Sequence, residues 1–366
     1  MMERLRAMRE PLKYVQGRDA LLKFQEEMGY MGKRWLFVCS RSGYKACHDK
    51  IEQSFGDLDD YRRYEIFGGI SSKSEIAKMQ DIVKEDKIDT VVAVGGGSAV
   101  DTAKATAYYS GKHIVIVPTV AATDAPCTGL SVIYNDDHSF DKYLFYPTNP
   151  DAVMVDTTVI ANAPVKFLIA GMGDALGTYF EGRASIRTES ASLEGTGITR
   201  AGQALARLCY DTLREYGKQA VEACKVHAVT PALENIVEAN VYLSGVGADN
   251  VNCAAAHSFY NGVTSLGNVY PYGNLTEEEI VGVFKEIEDQ GDLTLRLHLF
   301  VELKKDLKDV KKVEERIHSD MLHVSGLKLI TDGVCESHTG YLLEPYADQP
   351  DTRGELQISK EDLTEM

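Results

Sequence analysis

One stretch constrains the fold more than any other. Thr90-Val91-Val92-Ala93-Val94 runs directly into Gly95-Gly96-Gly97-Ser98 and then into a helix-like segment from Ala99 to Tyr109. A β-branched apolar run bounded by glycines reads as a buried strand. A strand that feeds a helix in this way belongs to a parallel sheet, because parallel neighbours can be joined only by a crossover. Two further runs fit the same rhythm: Trp35-Leu36-Phe37-Val38, and His113 to Val117 closed by Pro118. Between them, Ser74 to Lys84 carries apolar residues at 76, 79, 82 and 83, a helical spacing. The N-terminal fold class is therefore α/β with a parallel sheet.

The texture changes near residue 160. Pro164 opens a region in which 165–185, 193–217, 232–246 and 250–260 are rich in helix formers and free of proline. This predicts an all-helical part. A third change comes at Gly267 to Asn274, a loop-like run of Gly, Pro, Asn and Tyr. Thr276-Glu277-Glu278-Glu279 then resembles a capping box. Asp292 to Glu302 alternates apolar and polar residues, as a half-buried strand does, and Leu327 to Ile330 is a second short strand candidate. The expected division of the 366 residues is 1–160, 161–266 and 267–366. No internal repeat or low-complexity segment is evident.

The glycine run also points to chemistry. Unpaired N–H groups at a helix N-terminus, together with the helix dipole, attract phosphate. Glycine lets a backbone approach a pyrophosphate closely. The run is not G-x-G-x-x-G, and a tight strand-to-helix turn without a ligand is the alternative. A net charge of −16 argues against a nucleic-acid partner. The seven scattered cysteines form no C-x-x-C pair and suit a reducing compartment. With no apolar h-region at the start and no membrane-length apolar run, the expectation is a cytoplasmic protein.

Four strings carry a resemblance: VVAVGGGSAVDTAKATAYY, PTVAATDAPCTGLSVIYND, GMGDALGTYFEGRA and CAAAHSFYNGVTSL. In this order they resemble the glycerol dehydrogenase branch of the iron-containing alcohol dehydrogenase superfamily, over about residues 8–266. The resemblance implies a nicotinamide-dependent, metal-assisted polyol oxidoreductase with NAD as cofactor. It places Gly95, Gly96, Gly97, Ser98, Ala99, Val100 and Asp101 on the pyrophosphate. Thr119, Val120, Ala121 and Ala122 would line the adenine and ribose side, and Thr128, Leu130 and Tyr134 the nicotinamide half. Asp124 would hydrogen-bond the polyol, and Asp174 and His257 would bind a metal, usually zinc. These residue types suit the roles, since carboxylate and imidazole are zinc ligands and the metal acts as a Lewis acid on the alcohol. Read alone, the alternatives are a surface residue or N-cap for Asp174, a packed core histidine for His257, and an Asx-turn for Asp124 before Ala125-Pro126.

Two positions depart from the family. Its acidic ribose-binding residue at the end of the first strand is replaced by Ser40, followed by Arg41. A carboxylate accepts from both ribose hydroxyls and repels a 2′-phosphate, and serine does neither as well. This predicts weakened NAD preference with tolerance of NADP. The family's second zinc-binding histidine falls at Asn274, in YPYGNLTE, and no histidine occurs between 258 and 297. Two ligands make a weak catalytic zinc site.

From Asn274 onwards, SGLKLITDGVCESHTGYLLEPYADQPDTRGELQIS resembles part of an amidohydrolase-3 type metal-dependent hydrolase, a TIM-barrel family. That family's His-x-His is absent from the whole chain. A barrel typically needs roughly 250 residues, so 267–366 would be a partial TIM-barrel-like α/β fragment with His298, His323 and His338 non-functional. The resulting expectation is a chimera joined between about 267 and 276, with a truncated helical domain. Exposed apolar faces and strand edges would then drive poor solubility or homo-oligomer formation. Three functions follow: a glycerol or 1,2-diol oxidoreductase impaired at its metal site, a nucleotide-binding pseudoenzyme or non-functional chimera, and an amidohydrolase, which the missing His-x-His disfavours.

Overall fold

A computed structural model describes residues 5–137 and 139–252, and the strands Leu297–Glu302 and Leu322–Lys328. The chain divides into two compact units, Met1–Ser258 and Phe259–Met366. The first unit holds a six-stranded sheet built from β1 (Lys13–Gly17), β2 (Arg34–Cys39), β3 (Tyr61–Ile66), β4 (Thr90–Gly95), β5 (His113–Pro118) and β8 (Ala152–Asp156). Its order is β1-β8-β5-β4-β2-β3, and every pairing is parallel. Between β5 and β8 the chain makes an antiparallel hairpin of β6 (Leu130–Tyr134) and β7 (Phe140–Phe145).

Alternation along the strands sorts their side chains onto two faces. Trp35, Phe37, Cys39, Val92, Val94, Val115 and Val117 pack with Phe24 and Met28 of α1 (Phe24–Met28) and with Cys47, Ile51 and Phe55 of α2 (Arg41–Phe55). Leu36, Val38, Val91, Ala93 and Ile116 face the other way, onto α3 (Lys73–Glu85) and α4 (Gly97–Ser110). Burial on both faces is why β4 is apolar throughout rather than alternating.

The second of these clusters continues without interruption into the helical part. Val100 and Ala103 of α4 share it with Leu168 and Ala175 of α6 (Val165–Arg187) and with Cys209 and Leu213 of α7 (Arg200–Lys225). Leu233 and Ile236 of α8 (Pro231–Glu238) and Val246 of α9 (Ser244–Val251) complete it. The short α5 (Thr157–Asn162) links the two parts, capped by Asp156.

Several expectations shift. The helix read over 193–217 begins at Arg200 and runs to Lys225. Thr199 caps it by accepting from Gly202 N, and Gly195, at φ 77°, belongs to the preceding turn. The helix read from 232 is α8 with Pro231 in its first turn, a π-helical turn over Ala239–Leu243, and then α9. That last helix ends at Val251, where Asn252 adopts φ 77°, and residues 253–260 of the helix read over 250–260 lie outside the described residues. In the second unit, β9 (Leu297–Glu302) lies within the predicted 292–302. Its parallel partner β10 (Leu322–Lys328) starts earlier than the predicted 327–330 and takes in Leu327 and Lys328, while 329 and 330 lie outside the described residues. The other residues of the expected TIM-barrel-like fragment lie outside the described residues.

Candidate active site

The glycine run sits at the carboxyl end of β4, near the middle of the sheet. Gly96 is the N-cap of α4 in an extended conformation, φ −89° and ψ −169°. A Cβ on Gly96 would lie 3.5 Å from Val120 Cγ2, and one on Gly97 3.7 Å from Thr123 Cγ2. These are ordinary contacts, so neither packing nor a positive φ demands glycine at the two positions. Their missing side chains leave room between the helix N-terminus and the 119–123 segment, where unpaired amides face a cradle that suits a pyrophosphate. Gly95 differs, since its Cβ would meet Ala99 Cβ at 2.7 Å. Ser98 is exposed at the opening of the helix, while Ala99 and Val100 are buried in the core.

Asp101 is also buried, and its carboxylate is engaged away from the phosphate cradle. It accepts from Val132 N at 3.3 Å and lies 3.8 Å from Lys104 Nζ. Burial raises this carboxyl to about 6, against the opposing pull of Lys104. Ser40, at the end of β2, accepts from Gly43 N at 3.0 Å and so caps α2.

The 119–130 segment runs from the end of β5 beside this cradle. Thr119 N bonds Gly95 O at 3.0 Å. Asn240 Nδ2, in the π-helical turn, donates to Ala121 O at 2.9 Å and to Leu168 O at 3.0 Å. The helices come close enough to do this only where they carry glycine. A Cβ on Gly171 would lie 1.9 Å from Ala121 O, and one on Gly245 2.8 Å from Asp124 O. Val120 and Ala122 are half-buried and Ala121 is buried.

Asp124 N donates to Asp174 Oδ2 at 3.1 Å, bringing the expected polyol residue and the expected metal ligand together. Both carboxylates, after burial, hold the Cys209 thiol up at about 12. Thr128 is buried and its Oγ1 donates to Ala125 O at 3.2 Å. Leu130 opens β6, and Tyr134 closes that strand with its N bonded to Ser71 O at 2.9 Å. Among the described residues no group of three His, Cys, Asp or Glu is arranged to hold a metal. His257 lies outside the described residues, as does Asn274, so only Asp174 of the expected ligand set is placed.

Sequence reasoning missed four buried polar residues behind this segment: Lys104, Asn149, Asn240 and Asp249. Lys104 had a signal, because it is the lone cation in the alanine-rich stretch Ala99 to Ala107. A cavity of about 860 Å³ opens instead at the amino ends of the strands, beside Arg34, His113 and Asp151. Its lining includes none of residues 95–98 or 119–130, so that cavity is separate from the glycine cradle.

A family model for iron-containing alcohol dehydrogenase matches residues 11–157. The chain is 43% identical over 267 residues to a glycerol dehydrogenase of Escherichia coli O6:H1, covering 73% of each chain. It is 46% identical over 263 residues to a glycerol dehydrogenase of Thermotoga maritima, covering 72% of this chain and 71% of the relative. It is 35% identical to a glycolaldehyde reductase of Halobacterium salinarum, covering 82% of each. The crystal structure of a probable glycerol dehydrogenase from Sinorhizobium meliloti is similar with a TM-score of 0.68 and 36% identity, over 85% of this chain and 82% of that one. No helix among the described residues is long and apolar enough to cross a membrane.

Proposed function

The chain belongs to the glycerol dehydrogenase branch of the iron-containing alcohol dehydrogenases, and from that premise we propose that it oxidises glycerol or a related 1,2-diol to the hydroxyketone, using NAD. The observation that carries this reading is one juxtaposition. The Gly95–Ser98 cradle faces the 119–130 segment, which delivers Asp124 to Asp174. NAD, when bound, supplies the hydride acceptor. In that reaction one C–H bond of the diol would break with its electron pair passing as hydride to the nicotinamide, the hydroxyl proton would pass to solvent water, and the carbonyl would form. Gly96, Gly97 and Ser98 hold the pyrophosphate at the helix N-terminus. Asp124 accepts a hydrogen bond from a substrate hydroxyl and fixes which carbon faces the nicotinamide, a matter of positioning. Thr128 and Leu130 line that half.

Zinc, held by Asp174 and His257, is the finer part of the proposal. It supplies a Lewis acid, and with Asn274 at the third-ligand position we expect weak metal retention and reduced turnover. The same departure favours a second reading, a nucleotide-binding pseudoenzyme. A different origin for the segment beyond about 267, as an amidohydrolase-like fragment in a chimera, rests on the sequence strings alone. A cytoplasmic location and homo-oligomer formation are likewise expected.

The deciding experiment measures metal content and glycerol-dependent NADH formation at alkaline pH, with NADH-dependent reduction of the hydroxyketone product as the reverse assay. Bound metal with turnover supports the oxidoreductase. NAD binding with neither metal nor turnover supports the pseudoenzyme, and absence of NAD binding overturns both.

A further inference from the structure

A lysine about two turns into a helix that opens on a phosphate cradle suggests a phosphate ligand. The structure gives it other work. Lys104 is 3% exposed. Its Nζ donates to Ala125 O at 2.8 Å, to Thr128 O at 3.2 Å and to Leu130 O. Its countercharge, Asp101, is on the same helix at 3.8 Å. The segment it grips has no helix or strand of its own between Thr119 and Leu130, so its buried backbone groups need side-chain partners.

Other backbone groups of the segment are met by residues outside α4. Asn149 Nδ2 donates to Cys127 O at 2.7 Å and to Asp249 Oδ2 at 2.8 Å. The same Asp249 oxygen accepts from Gly129 N at 2.9 Å and lies 3.3 Å from Arg9 Nε. Gly129 O accepts from Tyr146 N at 2.8 Å, and Arg9 donates to Tyr146 O at 2.7 Å.

We propose that Lys104 is a positioning residue for the reaction: its ammonium ties the carbonyls of the Ala125–Leu130 segment to α4, and so sets Asp124, Thr128 and Leu130 against a nicotinamide whose pyrophosphate is held at the start of the same helix. This inference rests on the cofactor reading above. Three charge-assisted bonds from one buried ammonium are strong and directional. A rigid helix spanning both ends makes the distance between pyrophosphate and nicotinamide contacts a property of α4 rather than of a loop.

The test compares two ligands that share the pyrophosphate and differ in the nicotinamide: NADH and ADP-ribose. Affinities are measured by calorimetry on the full-length chain and on Lys104→Met. The variant is expected to bind ADP-ribose as the wild type does and NADH at least about fivefold more weakly, roughly one lost hydrogen bond. Equal weakening of both ligands would overturn the proposal, because it would place Lys104 on the phosphates or on the fold at large. No change in either would overturn it too. If Lys104→Met does not fold, Lys104→Met/Asp101→Asn removes the orphaned carboxylate and carries the same comparison. If the wild type binds neither ligand, the cofactor reading fails, and amide exchange decides on Lys104. Faster exchange confined to 125–131 in the variant supports anchoring by Lys104, while unchanged or chain-wide exchange refutes it.

Discussion

Gly171→Ala probes the contact that seats the helical part on the 119–122 segment. The new methyl would lie 1.9 Å from Ala121 O and 2.6 Å from Asn240 Nδ2. The obstructing atom is a backbone carbonyl, which cannot rotate aside, so α6 and the 119–122 segment must separate. Overpacking of this kind costs about 1–3 kcal/mol. Loss of the Asn240–Ala121 bond adds about 1 kcal/mol. Alanine in place of glycine inside a helix returns about 1 kcal/mol. The net is a destabilisation of about 2 kcal/mol. At about 2–4 °C per kcal/mol for a unit of this size, the melting temperature should fall by about 4–8 °C. Gly177→Ala is the internal control. It lies on the same helix with nothing within 4 Å of its Cβ, so the propensity gain stands alone and the melting temperature should rise by about 1–4 °C. The assay is thermal unfolding by circular dichroism, with NADH titration alongside. If Gly171→Ala melts with or above the wild type, the close approach of α6 to Ala121 is wrong.

Two further outcomes are expected. Ser40→Asp should preserve the cap on α2, since aspartate caps as well as serine, while adding a carboxylate beside the ribose. NADP affinity should then fall about tenfold relative to NAD, and an unchanged ratio in paired titrations would show that position 40 does not reach the ribose. Asp101 is held up to about 6 by burial, above its unfolded value of about 3.9. The folded state therefore binds the extra proton, and this group's contribution to stability is full below about pH 4 and is lost as pH rises through about 6. Asp101→Asn should flatten that part of the stability profile in denaturant titrations across pH 4–7. A slope matching the wild type would refute the assignment.

The local chain determined the sheet and the cradle. Residues 90–98 are a buried strand running into glycines and a helix, and no tertiary partner is needed to read them so. Asp124 and Asp174 are different: only the family resemblance linked them, and read alone they are an Asx-turn and a surface residue or N-cap, while the folded chain brings Asp124 N to 3.1 Å from Asp174 Oδ2. What the sequence left undetermined depends on contacts between distant segments. Asn149 and Asp249 meet across a hundred residues, and Asn240 reaches Ala121 across more. Nothing periodic in the chain marks either pair. The limits of α7 and α9 were missed because a threonine cap and a single left-handed asparagine end helices irrespective of composition. Lys104 shows the division most plainly. Sequence puts a cation after a glycine run, and only the folded chain, by burying it among three carbonyls, turns it to the Ala125–Leu130 segment.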